Sequence, residues 1–121
     1  MRLIEIYKCL CDETRLRILH LLTQGPLCVC HFQEILEISQ VQISKHLAYL
    51  RERKMVVATR HNQWMIYSLP LKHDGELELQ MRCLQDCAPS DPIFKADLKR
   101  LKKVKAECFW VDQAFASNPD K

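Results

Sequence analysis

The feature that most constrains the fold is a change of hydrophobic period near residue 55. Before it, apolar residues recur at helical spacing. After it, Val56-Val57-Ala58-Thr59-Arg60 and Trp64-Met65-Ile66-Tyr67-Ser68-Leu69 are β-rich runs around His61-Asn62-Gln63, and Asn62 tolerates the left-handed conformation that a tight turn needs. This predicts a β-hairpin closed by Pro70. Immediately upstream, Ser39 is a natural N-cap for a helix in which Ile43, Leu47 and Leu50 stand at i, i+4 and i+7. That spacing buries one stripe and turns Val41, Gln42, Lys45 and Tyr49 outward.

Three further helical segments precede this one. Leu3, Ile6, Tyr7 and Leu10 share a first segment; Asp12 and Glu13 place acid at the start of a second, which carries Leu16, Ile18, Leu19 and Leu22 and stops at Gly25-Pro26; a short third, with Phe32, Ile35 and Leu36 on one side, begins near Cys30 or His31. Beyond the hairpin a fifth helix runs from about Glu76 to Cys87, and Ala88-Pro89-Ser90-Asp91-Pro92 separates it from a last one. In that last helix Phe94, Leu98, Leu101, Val104, Cys108, Val111 and Phe115 form an apolar stripe long enough to ask for a partner, with lysines crowding the other side. The expected architecture is mainly α with a β-hairpin wing, a winged helix-turn-helix with helices at both ends. Residues 1–115 make one domain, with a core over about 12–70 that suits DNA binding, C-terminal helices over about 76–115 and a frayed tail over 116–121.

In such a layout the capped helix enters the major groove. Its outer face suits that role: Gln40 and Gln42 can bond adenine edges in a bidentate way, Ser44 can bond several base edges, and Val41 can touch a thymine methyl. Lys45, Arg51, Arg53, Lys54 and Arg60 can neutralise phosphates, and Arg60 to Gln63 suit a wing tip over the backbone or minor groove. Periodicity alone equally fits an ordinary solvated amphipathic helix. The net charge of +3 is compatible with an anionic partner without requiring one.

The 121 residues, 48% of them apolar, can bury a core without disulfides. No run of 18 or more apolar residues could span a bilayer, and the expected setting is the cytoplasm. There the seven cysteines remain thiols, to be explained by metal, redox or packing roles. The two glycines leave no room for a phosphate cradle, and neither a GxSxG nor a HExxH motif occurs, which argues against nucleotide-dependent and hydrolytic enzymes.

Four blocks, Asp12-Glu13-Thr14-Arg15-Leu16-Arg17-Ile18-Leu19, Leu27-Cys28-Val29-Cys30, Ser39-Gln40 through Ser44-Lys45-His46-Leu47, and Trp64-Met65-Ile66-Tyr67-Ser68-Leu69, resemble in order and spacing the ArsR/SmtB family of metal-sensing repressors. The resemblance covers roughly residues 3 to 70. It implies a homodimer whose interface is formed by the helices at both ends of the chain, with dimerisation helices over about 76–115, double-stranded operator DNA with an inverted repeat, no membrane partner and no catalysis. It also implies that Cys28 and Cys30 occupy the family's site for arsenic, antimony, cadmium or lead, with arsenite the favoured effector and zinc a further candidate.

The site departs from the pattern. Arsenic-responsive relatives often follow the second cysteine with aspartate and place a third cysteine three residues after it; here those positions are His31 and Gln33. Two thiols are incomplete for arsenic, which takes three. Cys11 is the first choice to complete the set, from either subunit, with Cys9 beside it, although packing explains both equally well. His31 is the one histidine expected near a metal. Cys83 and Cys87, at i and i+4 on the fifth helix, form with Cys108 an alternative cluster, while Cys108 also reads as core. The zinc site that other relatives build on the fifth helix is not expected, because the aligned positions are Leu71, His73, Leu84 and Cys87. Three alternatives remain: a winged-helix regulator switched by cysteine oxidation, a thiol-disulfide or metal-handling enzyme, and a structural or interaction module with the basic final helix as its contact surface.

Overall fold

The computed structural model describes residues 1–70 and 75–107. Six helices and three short strands follow one another as α1 (Arg2–Leu10), α2 (Glu13–Leu22), β1 (Leu27–Cys28), α3 (Val29–Leu36), α4 (Gln40–Glu52), β2 (Val57–His61), β3 (Trp64–Ser68), α5 (Gly75–Cys87) and α6 (Pro92–Glu107), with a 3-10 turn over Ala88–Ser90 before the last. This is the expected winged helix-turn-helix, with boundaries within a few residues of those read from the sequence.

Local chemistry sets the helix ends. Asp12 caps α2, its carboxylate accepting the Arg15 amide at 3.0 Å, and Ser39 caps α4 by accepting the Gln42 amide. The Arg15 amide hydrogen bond, followed by the positive field of the Arg15 guanidinium, holds the Asp12 carboxyl below its usual range. Its contribution is therefore complete above the ordinary aspartate value of about 3.9 and is lost as the pH falls through the lower folded value. Asp12→Ala is expected to cost about 1 kcal/mol at neutral pH and almost nothing in strong acid, a convergence that thermal unfolding at the two pH values would detect. Lacking a glycine at its end, α3 closes on Glu37 in the left-handed region, φ 57°.

The core forms where α2, α3, α4 and α6 meet. Ile18, Leu19, Phe32, Ile35, Ile43, Leu47 and Leu50 are fully buried in it. In α1 the buried residues are Ile6 and Cys9, while Tyr7, read at the same helical spacing as Ile6, is about half exposed. Tyr49, expected to face outward, packs against the core instead. The guanidinium carbons of Arg15 and Arg53 lie 4.2 and 3.5 Å from its ring centroid, so this ring is consumed by cation–π packing.

Two further differences concern the sheet and the last helix. The wing is not a two-stranded hairpin: β1 adds to it, giving the antiparallel order β1-β3-β2, with Leu27 opposite Tyr67 and Cys28 opposite Ile66. The turn between β2 and β3 places Asn62 at φ 58° as expected. The described part of the α6 stripe does not wait for another chain. Phe94, Leu101 and Val104 are buried in the chain's own core, where α6 packs on α2 and α3. Asp97 stands on this stripe, fully buried, and accepts two hydrogen bonds from the Arg17 guanidinium at 2.8 and 2.7 Å. Arg100 donates to the Ile35 carbonyl and pairs with Glu37, both at 2.9 Å. The lower part of the stripe, with Cys108, Val111 and Phe115, lies outside the described residues.

Candidate nucleic-acid interface and thiol site

Among the described residues, α4 presents an exposed, largely polar face. On α4, Gln40, Val41, Gln42, Ser44 and Lys45 are all exposed, as is Arg51 at its last turn. Val41 is 67% exposed, which an isolated helix gains nothing by. Gln40 with Ser44 and Val41 with Lys45 are i, i+4 pairs, so they project from adjoining positions. Arg60 is exposed on β2, whereas Arg53, another expected phosphate contact, donates to the Tyr49 carbonyl at 3.0 Å besides stacking on its ring. Lys54 is exposed just beyond α4.

The thiol site lies at the entrance to α3. Cys28 is its N-cap and His31 its N3 residue, and the two form a capping box in which the His31 imidazole accepts the Cys28 amide at Nδ1, 3.2 Å away. The same Nδ1 lies 3.3 Å from the Cys28 sulfur, and the Cys28 and Cys30 sulfurs are 2.7 Å apart. Sγ of Cys28, Sγ of Cys30 and a ring nitrogen of His31 all fall within 4.8 Å of one another. Burial, and secondarily the Lys105 ammonium, push the His31 imidazole below its ordinary value, so the ring is neutral near pH 7 and keeps a lone pair. Cys28 and His31 are buried and Cys30 is exposed, an arrangement that lets an ion reach the pair from one side. A cleft of about 300 Å3 opens there, lined by Cys28, Val29, Cys30, Gln33, Gln40, Gln63, Trp64 and Met65. It joins the thiols to the first residue of α4 and to the tip of the wing.

Of the other cysteines, Cys9 is buried in the core, and that burial pushes its thiol up despite nearby Arg53 and Arg15. It is a packing residue. Cys11 is exposed at the end of α1 and is not a member of the Cys28, Cys30, His31 cluster within one chain. Cys83 and Cys87 are exposed on α5, close enough for the Cys83 thiol to raise that of Cys87 through a hydrogen bond and like charge; Cys108, their proposed third member, lies outside the described residues, as do Leu71 and His73. Sequence reasoning missed β1 and the cleft. A two-residue strand has no period to detect, and a cleft shared by residues 28 to 33, 40 and 63 to 65 exists only after folding.

A three-stranded wing beside a capped, polar-faced helix defines the class: this is a winged-helix protein. Residues 12–56 match the model of a family described as bacterial regulatory protein, arsR family. The chain is 36% identical over 80 residues, covering 64% of this chain and 76% of the relative, to an arsenical resistance operon repressor of Bacillus subtilis. It is 46% identical over 65 residues, 53% of this chain and 51% of the relative, to an arsenic resistance transcriptional regulator of Pseudomonas putida, so it spans about half that relative's length. Among solved structures it resembles HlyU from Vibrio cholerae with a TM-score of 0.64, at 29% identity over 70% of this chain and 89% of that one. It also resembles the AntR antimony-specific transcriptional repressor with a TM-score of 0.57, at 26% identity over 73% of this chain and 80% of that one. The chain belongs to the arsR family of bacterial regulatory proteins. The curated relatives are transcriptional regulators and not enzymes, which weighs against the thiol-handling enzyme considered from the sequence. No helix among the described residues is long and apolar enough to cross a membrane.

Proposed function

We propose that the chain is a homodimeric transcriptional repressor of the cytoplasm that binds an inverted-repeat DNA operator and leaves it when Cys28 and Cys30 capture a soft metal or metalloid. The observation that carries this reading is the cleft at the α3 entrance, because an ion bound there sits between the two elements that would hold DNA. Gln40, Val41, Gln42 and Ser44 would read bases, while Lys45, Arg51 and Arg60 would fix the register on phosphates. Release follows from connectivity. Cys28 is both a thiol of the site and a residue of β1, paired with Ile66 of β3, so drawing its sulfur towards an ion pulls on the wing as well as on α3.

Arsenite is the first effector to test, since arsenic resistance is named in the relatives' descriptions; its third thiol would come from Cys11 of the same or the other subunit. Antimony, cadmium, lead and zinc share the affinity for thiolate to differing degrees. The dimer would form through the adjacent α1 and α5, on which Ile4, Tyr7 and Leu79 are exposed apolar residues. α6 contributes little to that face along its described length, because its stripe is already covered.

The DNA face is tested by two substitutions that separate affinity from sequence readout. Arg60→Ala is expected to weaken binding to all sequences and to lower the slope of log affinity against log salt by about one per chain. Gln42→Ala is expected to keep that slope and to lose about 1–3 kcal/mol of preference for the operator over a single-base variant. Equal effects of both on operator and random DNA would exclude α4 as the reader.

A further inference from the structure

We propose that His31 is a metal ligand, and that Cys28, Cys30 and His31 form a two-sulfur, one-nitrogen site for a divalent cation of the zinc–cadmium class. This rests on the reading of Cys28 and Cys30 as the effector pair and adds to it the donor that distinguishes one ion from another.

The three donor atoms are already gathered within 4.8 Å. In a tetrahedral zinc site, metal–sulfur bonds of about 2.3 Å and metal–nitrogen bonds of about 2.0–2.1 Å place neighbouring donors about 3.5–3.8 Å apart. Nδ1 lies 3.3 Å from the Cys28 sulfur, close to that edge. The sulfur pair at 2.7 Å has to open by about 1 Å to meet it, and Cys30 is the exposed member of that pair. The fourth position faces the cleft, where Gln33, Gln40 and Gln63 can accommodate water or offer an amide oxygen. Imidazole suits zinc and its congeners, whereas trivalent arsenic takes thiolates.

His31 also links the ion to the fold. Its Nδ1 now accepts the Cys28 amide, and the same lone pair cannot serve amide and metal together. Divalent binding therefore exchanges the cap of α3 for a metal bond. An arsenite bound through sulfur alone leaves that hydrogen bond in place.

The test uses the full chain, reduced, with cadmium and arsenite titrated separately while thiolate-to-metal charge-transfer absorption is followed, in the natural sequence and in His31→Gln. Glutamine at N3 retains the acceptor that a capping box needs, so the fold is kept while the imidazole is lost. Cadmium affinity should fall by at least the roughly 10- to 100-fold that loss of an outer-shell partner costs, and arsenite affinity should not change. Equal cadmium affinity in the two proteins would overturn the proposal. X-ray absorption of the zinc-loaded natural protein gives an answer independent of any variant: two sulfurs with a nitrogen near 2.0–2.1 Å support it, and sulfur ligands alone overturn it. Arsenite binding without cadmium binding refutes His31 as a ligand and leaves the repressor reading standing, whereas a protein whose thiols take up neither ion refutes both.

Discussion

Replacing Cys28 and Cys30 together by serine is expected to leave operator affinity within about twofold and to abolish release by arsenite or cadmium altogether. Couplings between effector and ligand sites commonly amount to about 1–3 kcal/mol, or roughly 5- to 150-fold in affinity, and all of it should vanish. The reason is local. Cys28 and Cys30 provide the sulfurs that line the cleft, while the half of the α3 capping box made by the His31 ring uses the Cys28 backbone amide and not its sulfur. Serine preserves that amide and offers an oxygen in place of each sulfur, so the resting geometry survives and the affinity for thiophilic ions does not. The double variant should therefore behave as a permanently bound repressor. Equal release from the variant would move the site to Cys83 and Cys87, and loss of DNA binding without any ion would mean that the sulfurs hold the reader in place.

The second large effect is on stability. Asp97→Ala is expected to destabilise the fold by about 3 kcal/mol, measured by denaturant unfolding. The Asp97 side chain is wholly buried and receives two short bonds from Arg17, whose own side chain is only 18% exposed. The alanine variant leaves that guanidinium without its anion in a partly buried place, losing two charge-assisted bonds at once. The interaction fixes α6 on α2, and α6 also braces α3 through the Arg100 bond to the Ile35 carbonyl. Exchanging both partners for apolar residues, as in Arg17→Met with Asp97→Leu, should cost far less than the single change, because no charge is then stranded. A loss below about 0.5 kcal/mol in Asp97→Ala, the range of ordinary surface substitutions, would show that the ion pair does not anchor α6.

How far the sequence carries these conclusions differs from element to element. The Ser39 cap and the Ile43, Leu47, Leu50 stripe determine α4 almost to the residue, because capping and helical period are local properties. The hairpin with Asn62 at its turn is legible for the same reason. Asp97 is not: one acid on an apolar stripe gives no sign that a guanidinium 80 positions away meets it. Nor is the fate of α6, whose stripe looks the same from sequence whether it covers its own chain or another. Tyr49 reads as an outward residue by its position, and becomes a packing residue because Arg15 and Arg53 converge on its ring. At the thiol site, the sequence provides the Cys28 and Cys30 spacing and marks His31 as the histidine to watch. That the ring nitrogen lies beside the Cys28 sulfur follows from the capping box at the start of α3, whereas the cleft that reaches Gln40 and the wing exists only once the chain has folded.

The central claim, that a soft ion at the α3 entrance releases a DNA-bound dimer, is tested most directly by fluorescence anisotropy. The reduced protein is bound to labelled DNA from its own promoter at modest salt, and arsenite and then cadmium are titrated into the complex. Saturable binding by two chains per site, reversed by at least one of these ions at stoichiometric levels, is the predicted result. Absence of binding, or a complex that neither ion dissociates, would contradict the account.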